Sequence, residues 1–237
     1  MEHKKKGKMK IVAIIISCLL VVSLGGFYIY TLDYYRADAN AVQTLSTNMA
    51  TIEKQGNMTV FYPDKKLDIK KGLIFYPGGK VEATAYAPLL EKISQKGVTC
   101  VLLTMPFNLA VFDVNAADKV YGKIPDISNW YIAGHSLGGA MASSYVEKNS
   151  AKLKGLILLG AYPVNNADIP TLAIYGSEDQ GLDKSKLESV RSKMQITGGN
   201  HAYFGNYGEQ KGDGVAVINR EEQQAQAVAA IIEFIKK

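Results

Sequence analysis

Residues 130–148 read WYIAGHSLGGAMASSYVEK, and this stretch decides the fold. It begins with an apolar run typical of a buried strand and continues with residues typical of a helix. At the junction, residues 134–138 match the pattern Gly-x-Ser-x-Gly. A serine in this context occupies a strained turn, where Gly134 and Gly138 remove the collisions that side chains would cause. The sequence therefore predicts a nucleophilic Ser136, and a glycine-rich turn without chemistry is the alternative.

Strand-like and helix-like segments alternate on both sides of this turn. Strands are predicted over residues 58–62, 72–76, 98–104, 130–134, 155–159, 171–175 and 194–197. Helices are predicted over residues 83–96, 110–121, 136–148, 184–193 and 220–235. Several of the strands are short solid apolar runs, which is typical of a parallel sheet that is buried on both faces. The predicted fold class is therefore α/β, with a mostly parallel central sheet and helices on both faces.

A serine hydroxyl becomes a nucleophile only when a neighbouring base takes its proton. The sequence has three histidines that could do so, His3, His135 and His201. His3 precedes a long apolar segment, and the side chain of His135 should point away from its neighbour Ser136. His201 lies in a loop before the last predicted helix, so it is the predicted base. The alternative is an ordinary loop histidine.

The acid that orients the histidine is expected between the serine and the histidine in chain order. The predicted strand 171–175 is followed by the acidic turn Gly-Ser-Glu-Asp-Gln. Asp179 in this turn is the predicted acid. Glu178 is the competitor beside it and Asp183 lies a few residues farther on, while a solvated acidic turn is the alternative without a catalytic role.

An oxyanion hole needs two main-chain N–H groups that point at the developing negative charge. The N–H of Leu137, at the start of the predicted elbow helix, is one expected donor. The second is expected from the loop after the strand 72–76, where Pro77 has no N–H. This leaves Gly78, Gly79 or Lys80, of which Gly79 is our prediction. A simple glycine turn is the alternative.

These motifs together resemble the α/β-hydrolase superfamily, and within it the dienelactone-hydrolase-like branch that has no lid. The resemblance rests, in chain order, on residues 76–79, 134–139, 175–179 and 199–201. It covers residues 58–237 and implies hydrolysis of an ester or a similar acyl bond through an acyl-enzyme, without a cofactor. Only about a dozen residues separate the strand 155–159 from the strand 171–175, so no large cap is expected and the site should be open.

The sequence departs from this branch at two points. Tyr76 and Pro77 stand where many relatives have His-Gly, which leaves the oxyanion donor open among the following residues. The dienelactone hydrolases proper use a cysteine nucleophile, whereas this chain has Ser136, so a lactone substrate does not follow. The resemblance implies a small-molecule or surface-exposed acyl substrate. Two other functions stay open, an acyltransferase with the same triad and a non-catalytic binding module tethered to a membrane.

The N-terminus predicts attachment to a membrane. Residues 11–32 contain no charged residue, and a helix of 22 residues reaches about 33 Å, enough to cross a bilayer core. The five lysines of residues 1–10 place this tip in the cytoplasm. We therefore expect an uncleaved, single-pass signal-anchor over residues 11–32, followed by a juxtamembrane linker or helix over residues 33–57. The domain of residues 58–237 would lie outside the cytoplasm. The alternative is a signal peptide that is cleaved after Gly25, with a secreted domain.

Charge and cysteine usage exclude other classes of function. The net charge is +5, but five lysines against one glutamate give residues 1–10 a net charge of +4. The rest of the chain is nearly neutral, so no basic surface for nucleic acid is expected. Cys18 and Cys100 lie in unrelated apolar runs and are poor disulfide partners, and Cys100 is expected to be a small buried hydrophobe. No Cys/His cluster has the spacing of a metal site, and no cofactor is predicted.

Overall fold

A computed structural model describes residues 2–46, 51–64, 70–165 and 168–237. The chain divides into two units, Met1–Tyr34 and Tyr35–Lys237. The first unit contains helix α1, Glu2–Leu32, and its stretch Met9–Leu32 has a mean hydropathy of 2.5 with mostly exposed side chains. This helix is long and apolar enough to span a membrane. The side chains of residues 1–8, which carry most of the predicted basic tip, lie outside the described part.

The described part of the second unit contains one sheet of eight strands. These are β1 (Thr51–Gln55), β2 (Met58–Tyr62), β3 (Lys71–Tyr76), β4 (Thr99–Leu103), β5 (Asn129–His135), β6 (Gly155–Leu159), β7 (Thr171–Gly176) and β8 (Ser192–Ile196). Their spatial order is β1-β2-β4-β3-β5-β6-β7-β8. Strand β2 runs antiparallel to both β1 and β4, and all other neighbours are parallel.

Helices cover both faces of this sheet. They are α2 (Ala39–Thr44), α3 (Ala87–Ser94), α4 (Asp118–Tyr121), α5 (Leu137–Asn149) and α6 (Arg220–Lys236). Successive residues of β3 point to opposite faces, so Leu73 and Phe75 pack in the core under α3 and α6. Ile74 and Tyr76 pack in the second core, under α4 and α5. The predicted α/β class and its mostly parallel sheet are therefore confirmed.

The predicted helix over residues 110–121 is wrong in extent. The structure has a 3₁₀ turn at Ala110–Phe112 and only the short helix α4 after it. The hydroxyl of Tyr76 donates to the carbonyl oxygen of Val114 at 2.7 Å and accepts the N–H of Ala117 at 3.0 Å. A continuous helix would use these two main-chain groups itself, so this contact from β3 accounts for the interruption.

The predicted helix over residues 184–193 is also wrong in extent. It is a single 3₁₀ turn, Lys184–Leu187, and β8 begins at Ser192 instead of residue 194. Pairing with β7 accounts for the difference, because Leu172 opposes Ser192 and the register continues to Gly176 opposite Ile196. Tertiary pairing overrides the helical preference of the sequence here.

The segment 33–57, predicted as a juxtamembrane linker or helix, is largely part of the domain. It contains α2 and the edge strand β1, so the predicted domain start at residue 58 omits two elements. Strand β1 pairs with β2 from Thr51 opposite Tyr62 to Gln55 opposite Met58. Residues 47–50 of this segment lie outside the described residues.

Two smaller expectations concern a cysteine and the cap. Cys100 is fully buried in β4 and free, as predicted, and burial raises the pKa of its thiol.

Residues 160–170 connect β6 to β7, and residues 166–167 of this connection lie outside the described residues. This connection is too short for a cap domain, in agreement with the predicted fold.

Candidate active site

Ser136 occupies a sharp, strained turn between β5 and α5. Its main chain has φ 51° and ψ −123°, a conformation rare for a residue with a side chain. An added Cβ on Gly134 would lie 2.4 Å from the carbonyl carbon of Gly138, and one on Gly138 would lie 2.2 Å from the carbonyl oxygen of Pro77. Both positions therefore require glycine, and the hydroxyl of Ser136 is raised above the carboxyl end of the sheet.

His201 and Asp179 form a buried pair. The Nδ1 atom of His201 lies 2.9 Å from Oδ2 of Asp179, and the two residues are only 4% and 2% exposed. The other carboxylate oxygen of Asp179 accepts the N–H of Gly181 at 3.0 Å. The carboxylate can only accept, so Nδ1 carries the proton and Nε2 of His201 is free to take one.

The two competing acids have other partners. Oε1 of Glu178 accepts the hydroxyl of Ser177 at 2.7 Å. The carboxylate of Asp183 accepts the N–H and the hydroxyl of Ser185, at 3.2 and 2.6 Å, at the start of a 3₁₀ turn. Of the three acids considered from the sequence, Asp179 is the one that the fold brings to His201.

Gly160 connects the serine with the histidine and was not anticipated from the sequence. The N–H of Ser136 donates to the carbonyl oxygen of Leu159 at 2.9 Å, which places the next residue, Gly160, close to the elbow. An added Cβ on Gly160 would lie 2.9 Å from Nδ1 of His201 and 3.1 Å from Oδ2 of Asp179. In the described residues, no hydrogen bond joins the hydroxyl of Ser136 to His201, and the segment of Leu159 and Gly160 is what contacts both.

The carboxylate of Asp213 holds the main chain of residues 198–205, the loop that carries His201 (below, the histidine loop). Asp213 accepts the N–H of His201 at 3.1 Å and the N–H of Ala202 at 2.8 Å. The neighbouring Asn200 donates its N–H to Oε1 of Gln223 at 2.9 Å, and its carbonyl oxygen accepts from Nε2 of the same side chain at 2.8 Å. These side chains satisfy the buried polar groups of the loop and fix the position of the imidazole. No local sequence pattern marks Asp213 for this role.

The three candidate oxyanion donors differ in whether their N–H is already used. Gly78 donates to the hydroxyl of Tyr86 at 3.0 Å, and Lys80 donates to the carbonyl oxygen of Asn108 at 2.8 Å. Within the described part of the chain, the N–H of Gly79 has no hydrogen-bond acceptor. An added Cβ on Gly79 would lie 2.7 Å from Cδ2 of Leu137. The two residues predicted to donate their N–H groups are therefore in contact in the folded chain.

His135 and Tyr86 connect residues 77–80, the candidate oxyanion loop (below, the oxyanion loop), to the histidine loop. Nε2 of His135 lies 3.0 Å from the carbonyl oxygen of His201, and Nδ1 lies 2.8 Å from the hydroxyl of Tyr86. Burial, and then the neighbouring His201, lower the pKa of His135 well below its ordinary value, so the ring is neutral. Burial also raises the pKa of Tyr86, which keeps its proton. Nε2–H therefore donates to His201, and Tyr86 donates to Nδ1 while it accepts from Gly78.

This network gives a further reason to exclude His135 as the base. Its ring packs against the ring of His201, with centroids 4.6 Å apart. Both of its ring nitrogens are already hydrogen-bonded, to Tyr86 and to the carbonyl oxygen of His201. Sequence reasoning missed the network because Tyr86 comes from a turn 49 residues before His135.

An exposed aromatic pair flanks the site. Phe107 and Phe112 are 49% and 51% exposed, and their rings meet edge to face with centroids 5.6 Å apart. The carbonyl oxygen of Asn108 accepts the N–H of Lys80, and the turn Ala110–Phe112 packs against α5. Phe107 and Asn108 both have positive φ, 56° and 55°, so one of the two phenylalanines lies on strained main chain.

In the described ranges of the chain, no group of three or more His, Cys, Asp or Glu side chains could hold a metal ion.

Comparisons with known proteins identify relatives of the fold. The model of a family described as "Alpha/beta hydrolase family" matches residues 72–225, more than half of the chain. No match is found among curated protein sequences. The solved structure of Est1E from Butyrivibrio proteoclasticus is 14% identical with a TM-score of 0.55, and the match covers 79% of this chain and 99% of Est1E. A dienelactone hydrolase from Anabaena variabilis is 14% identical with a TM-score of 0.56, covering 79% and 95% of the two chains. TT1662 from Thermus thermophilus is 12% identical with a TM-score of 0.58, covering 79% and 99%.

Proposed function

This chain belongs to the alpha/beta hydrolase family, and we propose that it is a serine hydrolase acting on esters or similar acyl bonds. The observation that carries the proposal is the buried 2.9 Å pair of His201 and Asp179, which contacts Gly160 next to the residue that accepts the N–H of a serine in a strained elbow. A buried carboxylate needs a partner, and a strained serine costs about 1–3 kcal/mol that a purely structural turn does not require. This combination supports catalysis over a non-catalytic binding module.

The proposed reaction uses each group at one step. Ser136 attacks the acyl carbon while Nε2 of His201 takes its proton, and Asp179 stabilises the imidazolium through Nδ1–H. The N–H groups of Leu137 and Gly79 donate to the oxyanion. When the carbonyl re-forms, the alcohol leaves with the proton from His201 and the acyl group stays on Ser136. A water molecule, deprotonated by the same imidazole, then releases the acid and restores the serine.

The acyltransferase alternative uses the same steps with a different acceptor. In that case an alcohol other than water would attack the acyl-enzyme. The short connection between β6 and β7 leaves the site without a cap, so water reaches the acyl-enzyme freely. This openness favours hydrolysis as the outcome.

The aromatic pair at Phe107 and Phe112 supports an apolar acyl substrate. The pair lies on the loop that is bonded to the oxyanion loop, where one side of a bound ester would rest. The two phenyl groups form a contiguous, half-exposed apolar surface, and such surfaces are typical of ligand-binding grooves. Est1E has also been solved with ferulic acid, an aromatic acid, bound to it. We infer that the favoured esters carry an aliphatic or aromatic acyl group.

A series of p-nitrophenyl esters from acetate to octanoate tests the function and the acyl preference together. We expect hydrolysis, with kcat/KM rising along the series. The double variant Phe107→Ser, Phe112→Ser should lose about tenfold in kcat/KM for octanoate and stay near wild type for acetate. Tenfold is about 1.4 kcal/mol, which corresponds to roughly 55 Å² of apolar surface at about 25 cal/mol per Å².

The matched control is Val42→Ser, which removes an exposed apolar side chain from α2. It should leave the whole series unchanged. Equal losses for acetate and octanoate in the phenylalanine variant would contradict an acyl-binding role of the aromatic pair. No hydrolysis of any ester by the wild-type chain would count against the hydrolase itself.

We further propose that α1 is retained as a signal-anchor. Residues 1–10 then lie in the cytoplasm, residues 11–32 cross the membrane and the hydrolase domain lies outside. The full-length chain should stay with membranes after a carbonate wash, and its N-terminal peptide should still contain Met1 or Glu2. Recovery of a soluble form that begins at Gly26 would instead establish a cleaved signal peptide.

A further inference from the structure

The first residues of the second unit pair with the oxyanion loop. Tyr35 follows the end of α1 by three residues. Its N–H donates to the carbonyl oxygen of Lys80 at 2.8 Å, and its carbonyl oxygen accepts the N–H of Glu82 at 2.9 Å. These two bonds form a parallel β-bridge between Tyr35 and Val81. The main chain of residues 80–82, directly after Gly79, is therefore held by Tyr35, which is not part of a strand of the sheet.

The same segment is also fixed to the loop that follows the histidine. The N–H of Asp38 donates to the carbonyl oxygen of Asn206 at 2.8 Å. The carboxylate of Asp38 accepts from Nδ2 of Asn206 at 3.3 Å and from Nη1 of Arg220 at 3.2 Å. The segment 35–38 thus joins the two loops that carry the second oxyanion donor and the base.

The side chain of Tyr35 adds to this attachment. Its ring lies 5.6 Å from that of Tyr207, and its hydroxyl accepts the N–H of Lys211 at 3.1 Å. The Tyr207 ring lies 6.5 Å from both the Tyr86 ring and the His135 ring. Tyr35 is therefore the outer member of an aromatic cluster whose inner members hold Gly78 and the carbonyl oxygen of His201.

Lys80 shows why the attachment matters for the site. It has a positive φ of 57°, a conformation that a lysine keeps only when its surroundings hold it. Its N–H is bonded to Asn108 and its carbonyl oxygen to the N–H of Tyr35. If the bond to Tyr35 is lost, the loop can relax toward ordinary backbone angles, and the N–H of Gly79 then turns away from Leu137.

We propose that Tyr35 is a positioning residue for the oxyanion hole, and that turnover depends on the segment that follows the predicted membrane helix. The inference rests on the proposed hydrolase function. Oxyanion donors act mainly in the transition state, so loosening one lowers kcat and leaves KM nearly unchanged. A general loss of folded protein would also lower the apparent kcat at unchanged KM, so kcat is expressed per active site, titrated with a fluorophosphonate, and the affinity for an oxyanion mimic is the second readout.

The test compares variants of the full-length chain in detergent. Tyr35→Pro removes the N–H that holds Lys80, and kcat for p-nitrophenyl butyrate should fall about tenfold or more with KM within about twofold. The affinity for an alkyl boronic acid, which places an oxygen in the oxyanion hole, should fall by a similar factor. Tyr35→Phe keeps the ring and both main-chain bonds and should retain wild-type kcat.

Two further variants separate positioning from stability. Ile235→Ala opens a cavity under α6 at the opposite end of the sheet, and it should lower the melting temperature without changing kcat. If Tyr35→Pro does not fold, Tyr35→Ala keeps the main-chain bonds, loses the ring contact with Tyr207 and should lower kcat severalfold. A folded Tyr35→Pro with wild-type kcat, or a folded Tyr35→Ala with wild-type kcat in its place, would overturn the inference. A wild-type chain that hydrolyses no ester would instead overturn the proposed function, and this inference with it.

Discussion

Replacing Ser136 with alanine is expected to lower ester turnover by about three orders of magnitude or more. It should also abolish covalent labelling by a fluorophosphonate probe, because the probe reacts only with an activated serine hydroxyl. The elbow should still fold, since alanine fits the same turn and the glycines at 134 and 138 that make room for it are unchanged. Labelling and p-nitrophenyl butyrate hydrolysis are the two measurements.

A serine in the helix that follows Ser136 provides the control. Ser143 is buried in α5, and its hydroxyl bonds to the side chain of Asn165 and the N–H of Val164. Ser143→Ala should keep full labelling and turnover, even where the melting temperature falls. If Ser136→Ala is still labelled at the wild-type rate, the nucleophile is another residue and the elbow assignment is wrong.

His201→Ala should cause a loss as large as that of Ser136→Ala. The base and the nucleophile act as one unit, so the double variant should be no less active than either single variant. His135 cannot take over, because its two ring nitrogens are bonded to Tyr86 and to the carbonyl oxygen of residue 201. Near-normal turnover of His201→Ala would contradict its role as the base.

The sequence predicted the parts of this molecule that depend on local patterns. The elbow could be anticipated because Gly134 and Gly138 are spaced to relieve collisions within one short turn, and the structure has these close approaches. The strands of the parallel core could be anticipated because each is a short apolar run, and the confirmed sheet follows from them. The pairing of Asp179 with His201 is a long-range contact that came from chain order in similar folds instead of from local chemistry.

Other features depend on contacts between distant segments, which no local pattern encodes. No local sequence pattern marks Tyr86, Asp213 or Tyr35. They gain their contacts only when loops that are distant in sequence meet at the carboxyl end of the parallel strands. The helix predicted over residues 110–121 fails to form for the same reason. The hydroxyl of Tyr76 in β3 binds the carbonyl oxygen of Val114 and the N–H of Ala117, which a continuous helix would use.

Strand β1, which the sequence analysis does not predict, is a different case, because the sequence does contain a local signal for it. Gly56 and Asn57 form a two-residue loop between β1 and β2, with Gly56 at a φ of 63°. A Gly-Asn pair between two strand-like runs is a recognised hairpin signal. Residues 51–55 are short and mostly polar, as expected for an exposed edge strand, and without an apolar run the sequence predicts a linker or helix there.

A large effect is also expected from Asp179→Asn. The asparagine has nearly the same shape, so it fits beside Gly160, where an added Cβ would already lie 3.1 Å from Oδ2 of the acid. It lacks the negative charge that stabilises the imidazolium and that holds the proton of His201 on Nδ1. In the serine-histidine-aspartate template, the same change lowers the rate by about 10⁴. We expect a loss of that order in kcat for p-nitrophenyl butyrate, with the protein still folded.

Glu178→Gln is the matched control, because it makes the same chemical change one residue away. The carboxylate of Glu178 accepts from the hydroxyl of Ser177 and does not reach the imidazole, so the expected loss is less than about threefold. The reverse pattern, a small loss at residue 179 and a large one at residue 178, would move the orienting role to Glu178. Two small losses would mean that the acid lies elsewhere in the chain. A large loss confined to Asp179→Asn would establish that the buried 2.9 Å pair is part of the catalytic machinery and not only of the fold.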